Sequence, residues 1–230
     1  MLLDEPSSGL NESETDDFSE LLVELAGSGL AILLVEHDMG LVMSACHHIH
    51  VLDFGQIIAY GTPTEVQANA LVRAAYLGEG DEAEEVPEEQ QALLAEVSAL
   101  QEEVRAETEP SNGSAPSISV SESGPSETAA TPTEGAALEL IDVRAAYGSI
   151  DVLHGVSITI PRGTVYALLG PNGAGKTTTL KVASGQLNPT AGEVRYQGEK
   201  INGRASDKLA RAGLCTIPEG RGIFPNLTVL

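Results

Sequence analysis

Nine residues, GPNGAGKTT at positions 170 to 178, constrain this chain more than any other stretch. They satisfy the pattern GxxxxGK[ST], with the apolar run Thr164 to Leu169 before them and the helix-like TTTLKVASG after. That context of strand, glycine loop and helix is what the pattern needs to act as an anion cradle. Glycines let backbone N–H groups approach phosphate oxygens with no Cβ in the way, and the helix N-terminus adds positive potential. Gly170, Asn172, Gly173, Ala174, Gly175, Lys176, Thr177 and Thr178 are the candidate triphosphate contacts. Lys176 would reach the outer phosphates and the Thr177 hydroxyl would bind Mg²⁺.

Such a loop needs a carboxylate from a neighbouring strand to complete a magnesium site. Downstream of Lys176 no apolar run ends in Asp-Glu. The pair stands instead at the start, in MLLDEPSSGL, where Leu2 and Leu3 lead into Asp4 and Glu5. The missing acids are upstream in sequence.

Three segments separate on composition. Residues 1–80 carry 13 acids and one base, 81–135 carry 14 and one, and 136–230 carry seven and ten. The net charge of -22 argues against nucleic-acid binding by the chain as a whole, and only the segment holding the glycine loop is basic. No spaced acid loop with a central glycine suggests calcium. Two cysteines are too few for a disulfide framework and fit a reducing compartment. No apolar run reaches membrane-spanning length, and the N-terminus lacks the order of a signal peptide, so no direct membrane insertion is expected.

In the first segment, Asn11 caps a helix with acids in its first turn and Phe18, Leu21, Leu22 and Leu25 on one face; Gly27 and Gly29 end it. Leu30 to Val35 reads as a second buried strand delivering Glu36, His37 and Asp38. IHVLDFGQIIAYGTP predicts two short strands about Phe54 and Gly55, with a closing helix from Thr64 to Leu77. CHHIH, Cys46 to His50, holds metal-ligand residue types, but a helix-to-strand passage there makes the side chains diverge. In the middle segment, Leu93, Val97, Leu100 and Val104 allow a short helix over 88–107, read as solvated rather than paired. Pro110 to Gly135 has the composition of a disordered linker. In the third, Leu138 to Val143, Val156 to Ile160 and Thr164 to Leu169 predict strands.

These motifs resemble the ATP-binding cassette family. MLLDEP is similar to its Walker B strand, SGLN to its D-loop and EHD to its switch loop, while GPNGAGKTT is its Walker A. The resemblance implies that Tyr147 stacks on adenine, Glu5 polarises the attacking water, His37 contacts the γ-phosphate, Asp4 supports Mg²⁺, and Glu219 of PEGRGIF stands at the Q-loop as a further metal contact. The implied fold is an α/β P-loop NTPase core in two incomplete halves, 1–80 and 136–230, joined by the acidic linker 81–135 and lacking the helical subdomain. The ends around GTPTEV and PEGRGIF are similar to the two ATP-binding subunits of bacterial branched-chain amino-acid importers, as in a junction between fused domains.

The family's signature motif LSGGQ is absent from the chain, which implies ATP binding without complete turnover. Implied partners are transmembrane permease subunits, a second cassette domain and, indirectly, a periplasmic or lipid-anchored solute-binding protein, at the inner face of the cell membrane. A soluble non-transport cassette protein of the translation or DNA-repair kind, or an inactive truncated frame, is the alternative. In the family's strand order the strand ending at His37 lies between those of Walker A and Walker B, so docking of the two halves would bring Asp4 and Glu5 to Thr177. A flexible linker of about 55 residues spans roughly 40 Å, enough to permit it.

Overall fold

The computed structural model describes residues 1–70, 72 and 135–218. Residues 1–78 and 132–230 group into one unit. Glu219, the expected helix over 88–107 and the end of the expected helix to Leu77 lie outside the described residues.

The sheet at the centre of this unit is woven from both ends of the chain. Its strands are β1 (Leu2–Asp4), β2 (Ile32–Val35), β3 (His48–Asp53), β4 (Gln56–Gly61), β7 (Val165–Leu169) and β10 (Thr216–Ile217), in the order β10-β1-β2-β7-β3-β4. All neighbours run parallel except the β3–β4 hairpin. Strand β7, which leads into the glycine loop, is inserted between β2 and β3, so residues 1–61 form no continuous sheet without it. The strand ending at His37 lies between those of the glycine loop and the acid pair, as expected.

Parallel strands covered on both faces read as unbroken apolar runs, and ILLV and VYALL do. Alternate residues then serve opposite layers. Leu3, Ile32, Leu34, Ile49, Val51, Val165 and Ala167 face the helices α1 (Glu12–Gly27), α2 (Met39–Ala45) and α3 (Pro63–Ala68). Leu2, Leu33, Val35, Leu52, Tyr166 and Leu168 face a second, antiparallel sheet and α4 (Lys176–Ala183). That sheet runs in the order β6-β5-β8-β9, from β5 (Ala136–Tyr147), β6 (Ile150–Pro161), β8 (Ala191–Tyr196) and β9 (Glu199–Lys200). A last short helix, α5 (Ser206–Arg211), adds Leu209 to the same core.

Asn11 caps α1 in a full capping box with Glu14, and Ser28 and Gly29 close it. One detail of the predicted face is wrong. Leu21 is exposed, and Leu22 and Ala26 carry the contact, because the sheet meets only a narrow stripe of α1. The closing helix starts one residue before Thr64, since Thr62 caps it and Pro63 fills its first position. The strands expected over 138–143 and 156–160 are longer, each twelve residues, because they pair as one bulged hairpin across Gly148.

Candidate nucleotide site

Three adjacent parallel strands end side by side at the glycine loop. β1 delivers Asp4 and Glu5, β2 delivers Glu36 and His37, and β7 delivers Gly170. At about 4.8 Å between strands, the acids and the loop stand roughly 10 Å apart, measured strand to strand.

The loop's shape depends on glycine where the backbone is crowded. A Cβ on Gly170 would lie 2.1 Å from the Leu52 carbonyl oxygen, and Gly175, at φ 106, starts α4 with Leu153 packed where a side chain would go. Lys176 is buried and folds back over the loop, its Nζ donating to the carbonyls of Gly170 (2.7 Å) and Pro171 (3.1 Å). Burial pushes its ammonium pKa down, while Glu5 and Asp4 act against that shift. The structure thus brings the acids of the first segment to the lysine of the third.

Glu5 sits at φ 47, a left-handed conformation uncommon for a residue with a side chain and costing about 1 kcal/mol or more. Its N–H donates to the Val35 carbonyl, tying the turn to β2. His37 Nδ1 lies 3.7 Å from Glu5 Oε2, and the His37 side chain is 66% exposed, open to a ligand. Thr177 is exposed and Thr178 buried. Tyr147, at the end of β5, is 44% exposed with the Lys181 ammonium 5.9 Å from its ring centroid. It is an open aromatic face rather than a core residue.

Sequence reasoning missed one supporting contact. The tip of the β3–β4 hairpin docks on the glycine loop: Gly55 N–H donates to the Ala174 carbonyl at 2.9 Å, and the Gly55 carbonyl accepts from His154 N–H at 2.9 Å. A Cβ there would lie 2.0 Å from the Val152 carbonyl oxygen. The Phe-Gly turn signalled a hairpin, but nothing local signalled what it would rest on.

The CHHIH side chains do diverge. Cys46 packs among the helices, where burial pushes its thiol up to about 12. His47 Nδ1 accepts from Val165 N–H. His48 and His50 turn to the opposite face and pack against Tyr60 and Tyr166. Among the described residues no group of three or more His, Cys, Asp and Glu side chains is placed to hold a metal ion.

Two stretches of the chain match known protein families. Residues 153–230 match the ABC transporter family model, and residues 56–82 match the model of the branched-chain amino acid ATP-binding cassette transporter. Both stretches are thus similar to ABC transporter ATP-binding sequence. Among curated relatives, the high-affinity branched-chain amino acid transport ATP-binding protein BraG of Pseudomonas aeruginosa is 41% identical over 83 residues, 36% of each chain. Its counterpart BraF, from the same organism, is 48% identical over 80 residues, 34% of this chain and 31% of its own. A solved nucleotide-free ATP-binding cassette from an ABC transporter is 31% identical, with a TM-score of 0.33, over 34% of this chain and 31% of its own. The chain spans about a third of the length of the curated relatives it matches.

Proposed function

We propose that this chain is an ATP-binding piece of an importer for branched-chain or related amino acids, joining the end of one cassette domain to the start of another. The observation that carries the nucleotide reading is the convergence of Asp4 and Glu5 with Lys176 across three adjacent strands. The importer reading rests on the branched-chain family model over residues 56–82 and on the relatives' names. The order of motifs, with the acid pair before the glycine loop, supports the junction.

In this reading the glycine loop and Lys176 hold the phosphates, and Tyr147 stacks on the base. The crowded glycine backbone, the exposed Thr177 hydroxyl and the buried Asp4 carboxylate suit a phosphate-bound divalent cation, so Thr177 and Asp4 would hold Mg²⁺, with Glu219 a further candidate. Bound there, the ion neutralises phosphate charge. Glu5 orients water, and His37 contacts the terminal phosphate. In this reading the chain binds ATP, and turnover is completed together with a second cassette domain. Its partners are transmembrane permease subunits, a second cassette domain and, through them, a solute-binding protein, at the inner face of the cell membrane.

Calorimetry with MgATP tests the nucleotide reading. Binding should persist in Glu5→Gln and be weakened in Lys176→Ala; a wild-type chain that binds no ATP would overturn it. Co-purification with a permease tests the transport reading, and association with ribosomes or DNA instead would replace it with a non-transport role.

A further inference from the structure

The carboxylate of Glu36 is 1% exposed, yet among the described residues it is held by backbone rather than by an ion-paired lysine or arginine. Its Oε1 accepts from Ser7 N–H at 2.9 Å. Its Oε2 accepts from His37 N–H at 3.1 Å and Asp38 N–H at 3.5 Å. His37 Nδ1 lies 4.0 Å from that same oxygen and 3.7 Å from Glu5. One buried side chain therefore grips two loops, the turn two residues beyond Glu5 and the loop carrying His37. Burying a carboxylate is costly unless its oxygens are well satisfied, so its place here needs the N–H groups of both loops.

We infer that Glu36 is a positioning residue that holds Glu5 and His37 in fixed relation, so that phosphate contact by His37 is transmitted to the turn after Glu5. The inference rests on the proposed nucleotide site. A carboxylate offers two accepting oxygens, whereas the amide of Glu36→Gln offers one and turns its NH₂ toward an N–H group. One of the two loops is then released.

The test compares ATP and ADP, which differ by the phosphate that His37 would touch. With Mg²⁺ present, Glu36→Gln should lower ATP affinity about tenfold, as expected for losing hydrogen bonds to a charged group, and leave ADP affinity within about twofold. Equal losses for both nucleotides would assign Glu36 a general structural role and overturn the inference, as would no loss for either. If the unaltered chain binds neither nucleotide, the underlying site reading fails first. If Glu36→Gln does not fold, amide hydrogen exchange on the unaltered chain decides. The Ser7 and His37 amides should be protected together, with both slowed further by ATP; protection of one alone overturns the coupling.

Discussion

The two ends of the same sheet carry polar, chemically capable side chains, and they use them in opposite ways. At the carboxyl ends of β1, β2 and β7 stand Asp4, Glu5, His37 and Lys176, drawn from distant parts of the chain, with His37 open to solvent. At the amino-terminal side of β3 and β7, His48, His50, Tyr60 and Tyr166 pack with ring centroids 4.6 to 6.5 Å apart. The second group holds two histidines of CHHIH, yet rings packed this closely fill the space a ligand would occupy. Each imidazole lies against the rings of Tyr60 and Tyr166, stacked for His48 and tilted for His50. Residue type nominates a site; convergence and room decide it.

The largest expected effect belongs to the packed end. His50 is buried with no hydrogen-bond partner for either ring nitrogen, and burial, helped by His48, pushes its pKa down to about 4. Unfolded histidine takes up a proton below about pH 6.5, so the contribution of neutral His50 is complete above that pH and is lost as pH falls toward 4, a change of about 3 kcal/mol. Urea unfolding at pH 7 and pH 4.5 should show the loss in the wild type and a smaller one in His50→Phe. An identical pH dependence in the two chains would mean that His50 is solvated.

At the open end, Lys176→Ala should weaken ATP binding by about 1.5–3 kcal/mol, roughly 10- to 100-fold, the range for hydrogen bonds to a charged group. His50→Phe should leave ATP affinity unchanged, and calorimetry on both variants separates the two ends directly. Gly55→Ala links them through stability. It places a Cβ against the Val152 carbonyl at φ 74 and should cost about 1–3 kcal/mol, lowering Tm by about 2–4 °C for each kcal/mol. The smallest effect is Tyr60→Phe. The long 3.4 Å contact between the Tyr60 and Tyr166 hydroxyls contributes little, and unfolding free energy should change by less than about 0.5 kcal/mol. A larger loss would show that hydroxyl bonding, not stacking, holds the cluster.

Much of the candidate site was legible because its parts are local. The glycine loop reads from spacing, α1 from Asn11 and its capping partner, and Asp4 and Glu5 from an apolar run ending in acids. What was not legible depends on contacts across the fold. The pairing of β7 with β3, the seat of Gly55 on Ala174 and the grip of Glu36 on Ser7 join residues at least 29 positions apart. No local pattern encodes such pairings. Leu21 failed for a related reason: helical periodicity marks an apolar stripe, while the width of the surface it meets is set by the sheet.

The central claim is that the acids of the first segment face the lysine of the third, and the protonation of Lys176 reports it without any nucleotide. Heteronuclear NMR of the Lys176 ammonium should show its pKa falling further below the usual lysine value in the Asp4→Asn, Glu5→Gln double variant, because the charges that oppose its desolvation are gone. An unchanged Lys176 titration would place the two acids away from the glycine loop and contradict the account.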